Sequence, residues 1–585
     1  VRQDWAQFPP HVLREYALLA DGERGALCGP LGDIAWMCAP RWDSDAVVST
    51  LIGGSGIYAV TPTDPCVWGG SYEPGSLIWR NRWVTSDSII ECRDALAYPG
   101  DPDHLVLLRR VLATEHEARV RVVLDLRAEF GRRRTSRIKR TGDGVVTAET
   151  GGLRIRWSGV KGVRQGPDGE LTLTLVVPPG GWHDLTLEVS AGPLPDRRIP
   201  PLEAWSATAR AWDEAVPEFA ETVAPRDARH SYAVMRGMTR PGGGMVAATT
   251  LGVPERAEGG RNYDYRYVWL RDQAYAGLAA AVGEAHPLLD DAVAFASARL
   301  LEHGDAIVPA YRVDGGDLPS EVALDLPGYP GGRDIVGNWV NGQFQLDAVG
   351  DVLSMFAAAA GHDHLDSDGY QAAQIAVQII ERRWDEPEAG IWELTNAWWT
   401  ESRLACVAGL RSLARQLSPT EGVRLSGLAD AILARTSQRC LDERGFWLRG
   451  PEHRGTDASL LLPAVRGALP AHDPRTTATV EAVRRDLSQD GFVYRFQPDT
   501  RPLGEAEGAF LLCGFMMALA AWHQGRETEA FRWFERNRAA CGTPGLLAEE
   551  YDVQQRQLRG NLPQAFVHAA LLETAQRLVS PPVTD

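Results

Sequence analysis

The sequence predicts a two-part fold: a β-sandwich followed by a ring of six helical hairpins. Two observations carry this. From Tyr16 to about Thr186 the chain is a succession of short β-rich runs broken by Gly, Pro and Asp clusters, several of which alternate apolar and polar residues as half-buried antiparallel strands must. After Pro200-Pro201 the segments lengthen to 12–20 residues and take on a helical period.

Taken in order, the runs 86–92, 105–112, 118–126, 145–148, 153–157 and 171–177 read as strands, and so many short strands pack best as a large sandwich. Residues 202–219 read as an amphipathic linker helix. Helices are then expected near 228–238, 270–283, 288–304, 340–360, 369–384, 400–417, 420–438, 456–468, 475–488, 508–524, 527–540 and 563–577. Twelve helices joined by alternating long and short loops fit six hairpins closed in a toroid, with one mouth lined by the long loops. The domain limits expected are 1–200 for the sandwich, 201–225 for the linker and 226–585 for the ring.

Composition bounds the function. The 585 residues are 44% hydrophobic and 23% charged, too apolar for disorder, and the net charge of -17 repels phosphate backbones and anionic membrane surfaces. Nucleic acid and membrane partners are not expected; a homo-oligomer stays open. Lysine occurs only at Lys139 and Lys161, so arginine carries nearly all the positive charge. The eight cysteines show no CxxC pair or zinc-finger spacing and read as buried free thiols, and neither a metal nor a cofactor is expected. Val1 to Pro10 lacks the apolar core of a signal peptide and no run reaches ~18 apolar residues, so a cytoplasmic location is expected.

The long loops carry the chemistry. They combine Trp and Tyr rings with carboxylates, Arg and Asn, which matches a sugar's apolar faces and hydroxyl edges. Two carboxylates follow glycine-containing turns beside aromatics: Glu393 in GIWE and Glu549 in LLAEEYD. Glycosidic hydrolysis needs such a pair, one acid to protonate the leaving oxygen and one carboxylate to activate water or attack carbon. An indole beside Glu393 would suit it to the acid role by excluding water.

WLRD at 269–272, DGGDLP followed by LPGY and GNW, GIWE at 390–393, DGFVYR at 490–495, EGAFLLC at 507–513, LLAEEYD at 546–552 and NLPQAF at 561–566 resemble, in order, the bacterial and archaeal branch of glycoside hydrolase family 15. An amino-terminal signature, LLADGERGALCGPLGDIAWMCAPRWDS at 18–44, extends the resemblance over nearly the whole chain. That family holds glucoamylases, glucodextranases, isomaltose-cleaving glucohydrolases and microbial trehalases. The resemblance implies an N-terminal β super-sandwich followed by a catalytic (α/α)6 barrel, and an inverting, exo-acting α-glucoside hydrolase releasing β-glucose from small α-glucosides. Position in the motifs implies Glu393 as general acid and Glu549 as general base, with Arg271 and Asp272 gripping the non-reducing-end glucose between Trp269 and Trp392.

Several assignments keep a second meaning. Glu550 adjoins Glu549 and could serve as base or bind substrate if the loop is rotated. Asp272 could merely stabilise the positive end of a helix. Tyr265 and Tyr551 could be pocket walls or core rings, and His568 reads as a packed core histidine. Between GIWE and the following helix the family carries a His-aromatic pair, whereas this chain has LTNAWWTESR; Trp398 and Trp399 are either a leaving-group wall, with Trp399 the candidate contact, or anchors of the helix behind it. Where fungal glucoamylases place a second carboxylate after the acid, this chain has Leu394. The linkage, α-1,6, α,α-1,1 or α-1,4, stays open. The alternative function is a carbohydrate-binding or scaffold relative without catalysis, which retention of both Glu393 and Glu549 opposes; a phosphorolytic enzyme would have exchanged the base for phosphate-binding residues.

Overall fold

The computed structural model describes residues 8–256 and 261–579; Val1–Gln7, part of the stretch read for a signal peptide, lie outside the described residues. Two eight-stranded antiparallel sheets form the amino-terminal part. One runs Ala17–Ala20, Gly25–Cys28, Asp33–Cys38, Ile57–Pro62, Ala118–Asp125, Leu171–Val177, Arg164–Gln165, with Ala46–Val48 paired to Asp33–Cys38. The other runs Ser136–Thr141, Val145–Thr150, Leu153–Ser158, Trp182–Ser190, His104–Ala113, Ile89–Leu96, Trp79–Val84, Val67–Tyr72.

The alternation read from the sequence becomes the sandwich core. Ala118, Val120, Val122 and Leu124 of one sheet meet Leu105, Leu107 and Val111 of the other in one apolar cluster. Trp157 spans the layers, its indole N–H donating to the Tyr58 hydroxyl at 3.1 Å. A second cluster crosses into the helical part, joining Leu18, Trp36 and Trp42 of the sandwich to Tyr232, Met235 and Met245. Sandwich and helices therefore share a core.

Helix α1 (Pro201–Ala215) lies on the sandwich, where its Trp212 ring stacks on Tyr98 at 4.0 Å. Then follow α2 (Pro225–Met238), α3 (Leu270–Ala280), α4 (Pro287–His303), α5 (Leu346–Gly361), α6 (Ser367–Arg383), α7 (Thr400–Ala414) and α8 (Pro419–Cys440). The last five are α9 (Leu462–Val465), α10 (Pro474–Asp486), α11 (Leu511–His523), α12 (Glu527–Arg538) and α13 (Ala565–Arg577). Each of α3, α5, α7, α9, α11 and α13 packs on the next, and α13 returns to α3, so these six close an inner ring; the others pack outside it. The chain thus folds as an antiparallel β-sandwich followed by an (α/α)6 barrel.

Local chemistry explains where helices depart from the sequence expectation. The segment expected at 456–468 is a 3-10 turn, Ala458–Leu461, followed by one short α-helical turn, because Pro463 has no N–H to donate. Leu511 opens α11 three residues late, since Ala509 and Phe510 pair in a strand with Tyr551 and Glu550. Inner helices α5 and α7 cross closely enough that a Cβ on Gly350 would come 2.6 Å from the Ala405 carbonyl carbon. All eight cysteines are free, six of them buried. No helix among the described residues is long and apolar enough to cross a membrane.

Arg466, just beyond α9, forms a largely buried ion pair with Glu573 of α13, and Arg577 donates to the same carboxylate at 2.7 Å. Although burial opposes ionisation, the two guanidiniums pull the Glu573 carboxyl down to about 2. A carboxyl depressed below its unfolded value of ~4.3 stabilises the fold above that pH, and the contribution is lost as pH falls towards 2. Glu573→Gln should cost about 3 kcal/mol at pH 7 by leaving Arg466 uncompensated. The gap between variant and wild-type urea midpoints should narrow between pH 5 and 3; a gap independent of pH would show that charge plays no part.

Candidate active site

A cavity of about 260 Å³ opens at the mouth of the ring, lined by Glu255, Arg261, Tyr263, Tyr265, Trp269, Arg271, Asp272, Trp339, Trp392, Glu393, Leu394, Arg495, Phe510, Glu549 and Gln564, among others. Five separate loops and the first turn of α3 supply these side chains. Each is fixed by local structure.

Val268 and Trp269 pair with Tyr311 and Ala310 as a two-residue ladder that ends where α3 begins. This sets Trp269 on the cavity wall and delivers Arg271 and Asp272 in the first helical turn. Arg271 is 6% exposed, and its guanidinium donates to Gln345 Oε1 at 2.9 Å, Asp347 Oδ2 at 3.1 Å and Glu393 Oε1 at 3.4 Å. Asp272 is also buried, its Oδ1 has no hydrogen-bond partner, and burial pushes its carboxyl up to about 7 against the pull of Arg271. A buried acceptor without a donor invites a ligand hydroxyl.

Glu393 adopts φ +55°, a left-handed conformation rare for a residue with a Cβ. Its Oε1 accepts three donors: Trp269 Nε1 at 2.8 Å, Gln345 Nε2 at 3.2 Å and the Arg271 guanidinium. Behind it, the fully buried Glu388 accepts the Gly390 and Leu346 N–H groups at 2.7 and 3.2 Å and pairs with Arg403 Nη1 at 2.6 Å, clamping the loop to α5 and α7. Gly390 is required here: it has φ +69°, and a Cβ would come 2.8 Å from Trp399 Cδ1.

On another wall, Glu549 precedes the strand Glu550–Asp552. The Tyr265 hydroxyl donates to its Oε1 at 3.2 Å, while Oε2 is buried without a partner. Burial and the nearby Glu255 carboxylate push the Glu549 carboxyl well above the usual range, with Arg495 and Arg261 opposing. Alternation along the strand turns Glu550 the other way, where Oε2 accepts the Gly508 N–H at 2.8 Å. The loop is pinned by His568, whose Nε2 accepts the Leu547 N–H at 3.2 Å and whose Nδ1 lies 3.1 Å from Ser231 Oγ. Burial holds this imidazole neutral. Tyr551 stacks on Phe492 at 4.6 Å, away from the cavity lining.

The structure thus gathers Tyr265, Trp269, Arg271, Asp272, Trp392, Glu393 and Glu549 around one space, and turns Glu550, Trp398 and Trp399 away from it. Trp398 donates to Asp385 Oδ1 at 2.9 Å between the guanidiniums of Arg403 and Arg439, which makes it an anchor of α7. Trp399 fills the space behind Gly390 and stacks on His453 at 4.6 Å. The exposed ring on the cavity is Trp339, 46% exposed, beside Leu394. Sequence reasoning did not single out Trp339, Gln345, Asp347, Glu255 or Arg261 as site residues. GNW was visible as a motif, and its Trp was the available signal.

Ionic contacts complete the lining. Arg495 donates to Glu507 Oε2 at 2.6 Å, and Arg261 reaches the same oxygen at 2.8 Å. Trp392 donates to Asp457 at 2.9 Å and meets the Phe510 edge at 5.3 Å, an apolar face under the acid loop.

Comparison with known proteins agrees with this geometry. Residues 229–576 match the family model for glycosyl hydrolases family 15, and residues 2–169 match that for the trehalase-like N-terminal domain. The chain is 28% identical to a trehalase of Mycolicibacterium smegmatis across 98% of this chain and 92% of that one. It is 26% identical to an isomaltose glucohydrolase of Kribbella flavida across 59% and 83% of the two chains. A bacterial glucoamylase complexed with acarbose shares the fold, with a TM-score of 0.71 at 12% identity over 98% of this chain and 96% of that one. This chain is a glycoside hydrolase and belongs to the glycosyl hydrolases of family 15.

Proposed function

We propose that the protein is an inverting, exo-acting α-glucosidase whose substrate is a small α-glucoside, with trehalose first among them. The observation that carries the chemistry is the pair of carboxylates, Glu393 and Glu549, held on one cavity by the mutually packed rings of Trp269 and Tyr265, whose centroids lie 5.5 Å apart edge to face. Trehalose is favoured by the likeness to the Mycolicibacterium smegmatis trehalase along the whole chain, whereas the isomaltose glucohydrolase matches a smaller share.

In this reading Glu393 is the general acid and Glu549 the general base. Arg271 and Asp272 bind the hydroxyls of the glucose that is released, between Trp269 and Trp392. Glu549 Oε2 takes a proton from water as its oxygen bonds to the anomeric carbon, and Glu393 passes a proton to the departing glycosidic oxygen. The Tyr265 hydroxyl keeps Oε1 of the base occupied and so presents Oε2 to the water. Trp339 at the rim offers a flat face to the leaving sugar.

Inversion has a distinct signature on a 1,1-linked disaccharide. Attack at one anomeric carbon yields one β-glucose, and the departing unit keeps its α configuration. Proton NMR at early times should therefore show the two anomers in equal amounts; α-glucose alone would mean retention. A panel of trehalose, isomaltose and maltose tests the linkage, and trehalose hydrolysed more slowly than isomaltose would overturn the preference. Glu393→Gln and Glu549→Gln should each lower kcat by about three orders of magnitude or more without changing Tm by more than a few degrees.

Tyr265→Phe removes the hydrogen bond that favours ionised Glu549. The base carboxyl then rises further, so the acidic limb of kcat/KM should move to higher pH. A limb that stays in place or moves down would separate Tyr265 from the base.

A further inference from the structure

The extended segment from Asp264 to Trp269 has two faces. Tyr265, Tyr267 and Trp269 share a small apolar cluster with Ala310 and Val340, and from it Tyr265 reaches Glu549 and Trp269 reaches Glu393. Asp264 and Arg266, at the alternate positions, turn the opposite way. Both are fully buried, and they form a two-point pair, Nε to Oδ1 at 2.9 Å and Nη2 to Oδ2 at 2.7 Å.

This pair sits where three parts of the chain meet. Arg266 Nη1 donates to the Ser44 carbonyl at 2.7 Å, and the guanidinium lies 5.9 and 5.8 Å from the ring centres of Trp36 and Phe130, all three residues of the sandwich. Asp264 Oδ2 accepts the Gly337 N–H at 3.1 Å, and its carbonyl accepts from Asn338 Nδ2 at 3.2 Å, immediately before the rim residue Trp339. None of these groups lines the cavity. We propose that the Asp264–Arg266 pair is a positioning element through which the amino-terminal sandwich fixes the segment whose Tyr265 and Trp269 hold both catalytic carboxylates, so that the sandwich is part of the catalytic machinery.

Two features favour positioning over simple packing. A buried pair can be replaced by apolar side chains with little loss of stability, so stability alone does not require it. A bidentate guanidinium also fixes the orientation of its partner in a way an apolar contact does not, and here the partner is one residue from the tyrosine that orients the base.

The inference rests on the proposed roles of Glu393 and Glu549, and the test separates the two claims. Glu549 faces Tyr265, Glu255, Arg261 and Arg495, and only the placement of Tyr265 changes in the variants used. In the full chain, Asp264→Asn should lower kcat on trehalose at least 30-fold with KM within threefold of wild type, and should move the acidic limb of kcat/KM upward, as Tyr265→Phe does. In a Tyr265→Phe background the same substitution should move that limb no further, the coupling expected of residues acting through one contact. Arg266→Lys should recover part of the loss seen in Arg266→Met. Arg312→Gln, which breaks the 2.9 Å contact with Asp43 elsewhere on the same interface, should lower Tm and leave the pH profile unchanged.

A lowered Tm with wild-type kcat, KM and pH profile in Asp264→Asn would overturn the proposal, as would a full limb shift in the Tyr265→Phe background. If Asp264→Asn fails to fold, Phe130→Leu, which removes only a ring beside the guanidinium, should still lower kcat three- to tenfold, and an unchanged kcat would overturn it. Wild-type turnover by Glu549→Gln would instead refute the base assignment itself.

Discussion

Charge buried without water is the condition the rest of this structure has to meet. The site needs carboxylates at the bottom of a ring of apolar helices, where a lone ionised group would be strongly destabilised. Arginine resolves this for many of them, although Asp272 and Glu549 each keep a buried oxygen without a partner. Arg271 answers Asp347 and Glu393, Arg403 answers Glu388, Arg495 answers Glu507, and Arg466 answers Glu573. A planar guanidinium can serve two or three acceptors at once, as Arg271 does with Gln345, Asp347 and Glu393; an ammonium does so with less directional control. The arginine bias seen in composition thus has a local use here, whatever its origin in the genome. Both lysines lie outside the helical ring, on the sandwich.

From this follows the different treatment of the two catalytic carboxylates. Glu393 is partly exposed, at 23% for its side chain, and surrounded by donors, while Glu549 is buried beside Glu255 and keeps one oxygen unpartnered. Two like groups in one cavity thus meet unlike surroundings: three donors converge on Glu393, whereas the Tyr265 hydroxyl is the hydrogen-bond donor that supports an ionised Glu549. The left-handed backbone at Glu393 adds to this. Such a conformation costs of order 1–3 kcal/mol and persists only when its neighbours over-determine it, and here Glu388, Arg403 and the tight Gly390–Trp399 contact do so.

Much of the fold was legible in the sequence because its signals are periodic. Alternating runs became strands and 3.6-residue periods became helices, with errors where a proline or an unforeseen two-residue ladder intervened, as at Pro463 and Ala509–Phe510. The motif residues Trp269, Arg271, Asp272, Trp392, Glu393 and Glu549 line one cavity, and that much could be read by resemblance and spacing. What could not be read was facing. Glu549 and Glu550 are equivalent as letters, and only the pairing of Glu550 with Phe510 and Arg559 fixes which one looks into the cavity. Trp398 and Trp399 are large aromatics next to the acid loop, yet Asp385, Arg403 and His453 claim them for packing. Gln345 and Asp347 were invisible because their role is to hold other residues, and nothing in a single sequence marks such a role.

The same distinction between touching and holding applies to the sandwich. Its two sheets have their own core, but residues from its first strands also enter the core of the helical part. That sharing is costly to separate and gives the sandwich a fixed orientation. A fixed orientation is useful only if something reads it out, and several contacts from the sandwich end on the long loops between the helices: Arg132 on the Leu324 carbonyl, the Ile52 carbonyl on Gly328, the His11 carbonyl on Tyr329, Trp36 on the Thr249 carbonyl and Arg266 on Ser44. Long loops over a helical ring would otherwise sample many conformations at an entropic cost that rises when a ligand must order them. Bracing them from outside the ring lets the cavity keep its shape before a sugar arrives, which links the sandwich to catalysis by geometry rather than by contact with substrate.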